Sequence, residues 1–99
     1  MTDAPPPVVT GETVAKLARG VRLKEDTVRG QTLLLAPERA LALDDIAVMI
    51  VKALDGARDL DTIAEEFSIA FEAPKAQILT DIIAFVDAFS KRRMLELKS

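Results

Sequence analysis

Cysteine, histidine, tryptophan and tyrosine are all absent from the 99 residues of the chain. Without cysteine the chain has no disulfide and no thiolate nucleophile, and without histidine it lacks the side chain that most readily transfers protons near neutral pH. The commonest zinc ligands are missing for the same reason. Most ordinary catalytic chemistry is therefore excluded, and neither a metal nor a cofactor is expected.

Glycine is also scarce, and none of the four glycines belongs to a glycine-rich loop that would hold a phosphate at the start of a helix. The adjacent carboxylates Asp44-Asp45 and Glu65-Glu66 fall on predicted helix caps or helix surfaces. Acid and base catalysis needs two such groups facing each other across a cleft. We therefore predict that the protein is not an enzyme.

Positive charge is in short supply as well, since the formal net charge is −3 at pH 7. Nucleic-acid binding requires clustered lysine and arginine, so the overall charge argues against it. The longest apolar runs, such as residues 46–51, fall far short of the roughly 20 residues that span a bilayer. The first twenty residues do not resemble a signal peptide, so a cytoplasmic location is expected.

Aliphatic residues dominate what is present: hydrophobic residues make up 49% of the chain, and phenylalanine supplies all of its 4% aromatic content. A chain of this length holds one hydrophobic core. Residues 1–17, which include three consecutive prolines at 5–7, are predicted to form a flexible arm or linker. Residues 18–97 are predicted to form a single α+β domain.

Short runs rich in valine, leucine and threonine predict three strands near residues 20–24, 27–35 and 39–43. Turn residues separate them, and Pro37 suits the second position of a β-turn because its ring fixes φ near −65°. We therefore expect an N-terminal three-stranded antiparallel sheet. Its third strand alternates Leu41 and Leu43 on one face with alanines on the other.

Three helices are predicted to follow the sheet. Asp44 or Asp45 offers an N-cap for the first, which Gly56 is expected to end. Asp59 is the predicted N-cap of the second, and the third is predicted over about residues 74–92. Residues 94–97 are predicted to form a short strand or a docked tail.

The predicted third helix carries seven apolar side chains, which cover roughly 160° of its circumference. That stripe suits a central core helix, a dimer face or one wall of a ligand groove. A strand at a sheet edge also presents free N–H and C=O groups to an added peptide strand. The candidate peptide-binding residues are therefore Arg39, Ala40, Leu41, Ala42 and Leu43 on the strand, with Leu79, Ile83 and Phe85 on the helix.

Two runs in the sheet region, residues 17–23 (LARGVRL) and residues 33–39 (LLLAPER), carry a family resemblance. Further matching residues are Asp55-Gly56, Ile63-Ala64 and the segment from Asp81 to Phe85. Together they cover about residues 17–97. On these residues the chain resembles the PqqD family, peptide chaperones of pyrroloquinoline quinone (PQQ) biosynthesis and members of the RiPP recognition elements.

The resemblance implies a small winged helix-turn-helix-like domain that binds the precursor peptide PqqA as an added strand. It further implies that the bound peptide is presented to the radical SAM enzyme PqqE, which performs the chemistry. Arg19 and Glu38 lie in the matching runs and are candidate partner contacts, although turn geometry explains their neighbourhood equally well. Some relatives are fused to another protein of the pathway, which would make the proline-containing arm a linker.

Two other functions stay open at this point. A winged-helix DNA-binding domain has a similar set of elements, but its recognition helix should be basic, whereas Asp81 and Asp87 lie in the middle of the predicted third helix. A structural dimerisation module would bury the apolar stripe against a second copy. The expected oligomeric state is a monomer or a weak homodimer.

Overall fold

The structure, a computed structural model, describes residues 8–98. The six strands are β1 (Val14–Leu17), β2 (Arg22–Asp26), β3 (Gln31–Ala36), β4 (Arg39–Leu43), β5 (Asp55–Asp59) and β6 (Leu95–Lys98). The three helices are α1 (Asp45–Ala53), α2 (Leu60–Phe71) and α3 (Lys75–Lys91). The prolines at 5–7 of the predicted arm lie outside the described residues.

Strands β2, β3 and β4 form an antiparallel sheet in that order, here called the hairpin sheet. Pro37 and Glu38 make the two-residue turn between β3 and β4, and the flanking residues Ala36 and Arg39 pair with each other. Glu38 adopts a φ of 66° in this turn. Leu34 in the middle strand is fully buried. The predicted three-stranded sheet is confirmed, but its second strand begins at Gln31 and not near residue 27, because residues 27–30 form the turn that joins it to β2.

A second antiparallel sheet, which the sequence did not predict, has the order β5-β1-β6. Its middle strand is β1, so the predicted arm is wrong for residues 14–17. Val14 pairs with Asp59 on one side and with Lys98 on the other. Both partners are distant in sequence, and a four-residue strand held by such partners has little local signal.

The helix starts follow the predicted caps. The carboxylate of Asp44 accepts a hydrogen bond of 2.8 Å from the N–H of Ala47, and the carboxylate of Asp59 accepts one of 2.8 Å from the N–H of Thr62. Each cap satisfies a backbone donor that the first turn of a helix leaves free. The first helix ends earlier than predicted, at Ala53 and not near Gly56, because the chain enters β5 at residue 55.

Two groups of buried side chains form the core. The larger lies between the second sheet and the helices and includes Ala15, Leu60 and Val86. The smaller lies under the hairpin sheet and consists of Val21, Leu34, Val51 and Met94. Half-buried side chains of α3 pack against both groups, so α3 joins the two sheets. Within residues 8–98, no helix has the length and apolar character that crossing a membrane requires.

Candidate binding cleft

Among residues 8–98, β4 pairs only with β3, which leaves the outer edge of β4 open. Residues flanking a two-residue hairpin turn exchange backbone hydrogen bonds, and such pairs alternate along an antiparallel ladder with pairs that exchange none. The pairs Leu35 with Ala40 and Leu33 with Ala42 fall on the second kind of position. The N–H and C=O groups of Ala40 and Ala42 therefore point away from β3.

A cleft of about 430 Å³ runs beside this edge, between β4, the start of α1 and α3. We refer to it as the strand cleft. It is lined by Ala42, Leu43, Asp44, Ile46, Ala47, Ile50, Asp81, Phe85 and Phe89. Small side chains on β4 and large apolar ones on α3 leave room for a chain that lies along the strand.

Two stacked aromatic rings make the helix wall of the strand cleft. The ring centroids of Phe85 and Phe89 are 4.2 Å apart and the ring planes differ by 15°. Residues four apart lie above one another on a helix, which brings the two rings together. The guanidinium carbon of Arg92 lies 5.7 Å from the centroid of Phe89, within the range of a cation–π contact.

One hydrogen bond links the two walls directly. Nη2 of Arg39, the first residue of β4, donates to the backbone carbonyl of Arg92, which caps α3, over 2.7 Å. Both side chains are on the surface, so the bond adds little to the stability of the fold. Its effect is to hold the beginning of the strand against the end of the helix.

The charged groups that line the strand cleft are acidic. Asp44 is the N-cap of α1, and Asp81 accepts a hydrogen bond of 3.1 Å from Nε2 of Gln77. In the part of the chain that the structure describes, neither carboxylate takes part in an ion pair. A ligand with basic groups next to its apolar side chains would therefore match the cleft in charge.

A second cleft of about 400 Å³ opens between the three helices, here called the three-helix cleft. It is lined by Ile46, Met49, Ile50, Phe67, Phe71, Ala73, Ile78, Asp81 and Ile82. Ile46, Ile50 and Asp81 line both clefts, so the two are continuous. Its lining is almost entirely apolar.

The structure brings together part of the predicted site. Ala42, Leu43 and Phe85 line the strand cleft, and Arg39 connects its walls. Of the other two predicted strand residues, Ala40 is exposed beside the open edge and Leu41 packs inward against the smaller core group.

The two remaining helix residues of the prediction are placed elsewhere. Leu79 and Ile83 pack against the larger core group and are not part of the lining of the strand cleft. Leu79 instead lies beside Gly11: its Cδ2 atom is 3.5 Å from the place a Cβ of that residue would occupy. A wide apolar stripe does not reveal which edge is covered, and the structure places both residues on the edge that packs against the core.

The candidate partner contacts lie in turns. Arg19 is exposed in the turn between β1 and β2, and Glu38 is exposed in the turn between β3 and β4. Gly20, next to Arg19, packs against Pro37, next to Glu38, since a Cβ on Gly20 would lie 3.5 Å from the Cγ of Pro37. The two turns are therefore neighbours on the surface.

Sequence reasoning missed the contribution of α1 to the site. Asp44, Ile46, Ala47 and Ile50 all line the strand cleft. A usable signal was present, because Asp44 directly follows β4 and a helix that begins there must have its first turn beside the strand. Among residues 8–98, no group of three or more acidic side chains has the arrangement of a metal site.

The fold and the cleft define a small α+β domain that offers an open strand edge beside an apolar helix. The family model of coenzyme PQQ synthesis protein D (PqqD) matches residues 31–95. The chain belongs to the PqqD family. As a member it is an accessory protein of PQQ synthesis and not an enzyme, in agreement with the prediction.

Curated relatives cover nearly the whole chain. The PqqA binding protein of Rhizobium meliloti is 63% identical over 91 residues, which are 92% of this chain and 93% of the relative. That of Xanthomonas axonopodis is 43% identical over 89 residues, or 90% of this chain and 97% of the relative. The bifunctional coenzyme PQQ synthesis protein C/D of Methylorubrum extorquens is 40% identical over 96% of this chain, which spans only 26% of that longer protein.

Solved structures support the same fold. The solution NMR structure of the PqqD truncation of Methylobacterium extorquens PqqCD, described as a functional and stand-alone RiPP recognition element, superimposes with a TM-score of 0.78. It is 40% identical, and the match covers 89% of this chain and 94% of that one. The crystal structure of PqqD from Xanthomonas campestris gives a TM-score of 0.57 at 40% identity, covering 81% and 89% of the two chains.

Proposed function

We propose that the chain binds the precursor peptide PqqA as an added strand on the open edge of β4 and presents it to the radical SAM enzyme PqqE. The observation that carries this proposal is the pair of outward-facing backbone positions, Ala40 and Ala42, beside the strand cleft. Relatives at 63% and 43% identity are described as PqqA binding proteins, which supports PqqA as the peptide.

Strand addition divides recognition between backbone and side chains. The free N–H and C=O groups of Ala40 and Ala42 can accept a peptide of any sequence, and each hydrogen bond contributes about 0.5–1.5 kcal/mol net. Alternate side chains of the added strand then face α3 and meet the rings of Phe85 and Phe89. The backbone contacts thus provide affinity, and the aromatic wall selects which side chains fit.

The same geometry supports presentation to an enzyme. In an added strand, the side chains that do not face α3 point to the opposite face of the sheet and stay accessible. Residues of the peptide beyond the paired segment are likewise free to enter a partner's active site. The resemblance to PqqD proteins supports PqqE as that partner, and the fused C/D protein of Methylorubrum extorquens provides a precedent for tethering such a domain to another protein of the pathway.

The cleft suits a peptide better than a nucleic acid. Asp44 and Asp81 line it and would repel phosphates, since DNA binding depends on basic side chains placed against the backbone. A structural dimer that buries the same surface would compete with PqqA. Sedimentation of the protein with and without the peptide shows whether this surface serves dimerisation or PqqA binding.

An amide NMR titration of the ¹⁵N-labelled protein with synthetic PqqA tests the proposal. We expect the largest shift changes in residues 39–47 and in residues 81–92, the two walls of the strand cleft. A scrambled peptide of the same composition is the control. Shift changes centred on the second sheet, or none at high peptide concentration, would overturn the proposal.

A further inference from the structure

The three-helix cleft leaves large apolar side chains in contact with solvent. Ile46 is 66% exposed and Phe71 is 54% exposed, and both line this cleft. Ring packing of Phe71 against Phe67, with centroids 5.9 Å apart, holds one wall in place. Its volume of about 400 Å³ falls within the range of small-ligand sites, roughly 300–1,000 Å³.

This cleft continues the strand cleft and is not a separate pocket. Ile46, Ile50 and Asp81 belong to both linings. A peptide that follows β4 to its end at Leu43 therefore meets the first turn of α1 and, beyond Ile46, the mouth of the three-helix cleft. No residue of the hairpin sheet lines this second cleft, so strand pairing does not extend into it.

We propose that the peptide bound at β4 continues past Leu43 and places one large aliphatic or aromatic side chain in the three-helix cleft, with a lysine or arginine of the same segment beside Asp81. This inference rests on the proposed function and extends it. The ligand is then recognised at two places, by its backbone along β4 and by one anchoring side chain between the helices.

Charge identifies the occupant as part of a basic-apolar peptide. Asp81 is the charged residue in the lining of the three-helix cleft, and Asp44 lines the adjoining strand cleft. A second copy of this chain would bring the same acidic cleft against itself, at a net charge of −3 per chain. An anionic membrane surface would be repelled in the same way.

Phe71→Gln is the test variant, because Phe71 lines the three-helix cleft and is not part of the strand-cleft lining. Ile69→Gln is the matched control: Ile69 lies on the same helix, is 70% exposed and belongs to neither lining. Isothermal titration with full-length PqqA should show roughly tenfold weaker binding for Phe71→Gln, since one buried apolar contact is lost. Ile69→Gln should stay within about twofold of the unmodified protein, because an exposed side chain outside both clefts makes no contact with the peptide.

The peptide provides the second half of the test. Each large apolar residue of PqqA is replaced by alanine in turn and titrated against both proteins. One of these alanine replacements in PqqA should weaken binding to the unmodified protein roughly tenfold. The same replacement should weaken binding to the Phe71→Gln variant little further, as expected for two side chains in contact. Raising the salt concentration should increase the Kd for PqqA less with the Asp81→Asn variant than with the unmodified protein.

The outcomes separate this inference from the proposed function. If Ala42→Pro weakens binding and Phe71→Gln does not, the peptide uses β4 alone and the anchor is wrong. If Phe71→Gln and Ile69→Gln weaken binding equally, the effect is not specific to the cleft and the anchor is also wrong. If PqqA does not bind the unmodified protein, both proposals fail.

Discussion

The guanidinium of Arg39 donates a hydrogen bond of 2.7 Å to the carbonyl oxygen of Arg92 and so fixes β4 against the end of α3. Strand and helix are the opposite walls of the strand cleft. The width of the cleft therefore depends in part on one exposed side chain. A contact of this kind affects the shape of the cleft more than the stability of the fold, because water satisfies both groups when the protein unfolds.

Arg39→Ala should weaken PqqA binding roughly three- to tenfold, the equivalent of one hydrogen bond of about 0.5–1.5 kcal/mol. The unfolding midpoint in urea should change little. Arg29→Ala, in the exposed turn between β2 and β3, is the matched control. Unchanged affinity in a folded Arg39→Ala protein would show that the bond does not set the width of the cleft.

Ala42→Pro removes an N–H that points away from β3, so the hairpin sheet keeps its own hydrogen bonds. We expect PqqA binding to fall roughly tenfold, because the added strand loses a hydrogen bond and meets the proline ring. Glu65→Ala, on the exposed surface of α2, should have almost no effect on binding. Equal affinities for the two folded variants would exclude strand addition at this edge.

Asp55 gives the fold a dependence on acid pH. Hydrogen bonds from the backbone N–H groups of Arg58 and Ala57, together with the Arg58 side chain, lower the pKa of Asp55 from 3.8 to about 2. A lowered pKa stabilises the folded state above the unfolded value, and this contribution is lost as the pH falls from about 4 to about 2. Hydrogen bonds from Thr62, through its side chain and its backbone N–H, lower the pKa of Asp59 in the same direction.

With Asp55→Asn, the free energy of unfolding should therefore change less steeply with pH between about 4 and 2. Glu25→Gln, at an exposed position on β2, is the control for removing a surface carboxylate. Urea unfolding at several pH values in that window measures the slope. Identical slopes for the unmodified protein and Asp55→Asn would contradict the assignment to Asp55.

Gly56 is required where β5 meets β1. Its φ is 76°, and the Cβ of Lys16 lies 3.3 Å from the place that a Cβ of residue 56 would occupy. Gly30 has a φ of 65° with no atom within 4 Å of that place. Gly56→Ala should thus destabilise the fold by about 2 kcal/mol and Gly30→Ala by about 1 kcal/mol, as measured by urea unfolding. Equal losses would mean that the contact with Lys16 adds nothing.

The sequence predicted the elements whose signals are local. The hairpin sheet has turn residues between its strands, and the caps Asp44 and Asp59 mark the starts of two helices. The second sheet was missed for the opposite reason. Strand β5 has the sequence DGARD, with no apolar alternation, and only its pairing with β1 makes it a strand.

The residues that line the candidate cleft could be predicted only in part. The strand wall follows from the position of β4 at the end of the sheet, and Phe85 follows from the stripe on α3. Which edge of the stripe stays open depends on how α3 packs against the second sheet. The sequence does not predict that packing. The stripe alone therefore does not distinguish Leu79, which packs against the larger core group, from Phe89, which lines the cleft.

The pairing of β1 with β6 constrains how the protein is made. Val14 has its partner at Lys98, so the second sheet cannot close before β6 is available for pairing. The hairpin sheet has contacts of short sequence separation and can form early, whereas Ala15 pairs with Leu97, which is distant in sequence. Completion of the domain therefore depends on β6, and a PqqA peptide that arrives earlier would meet β4 before its supporting helix has a completed sheet to pack against.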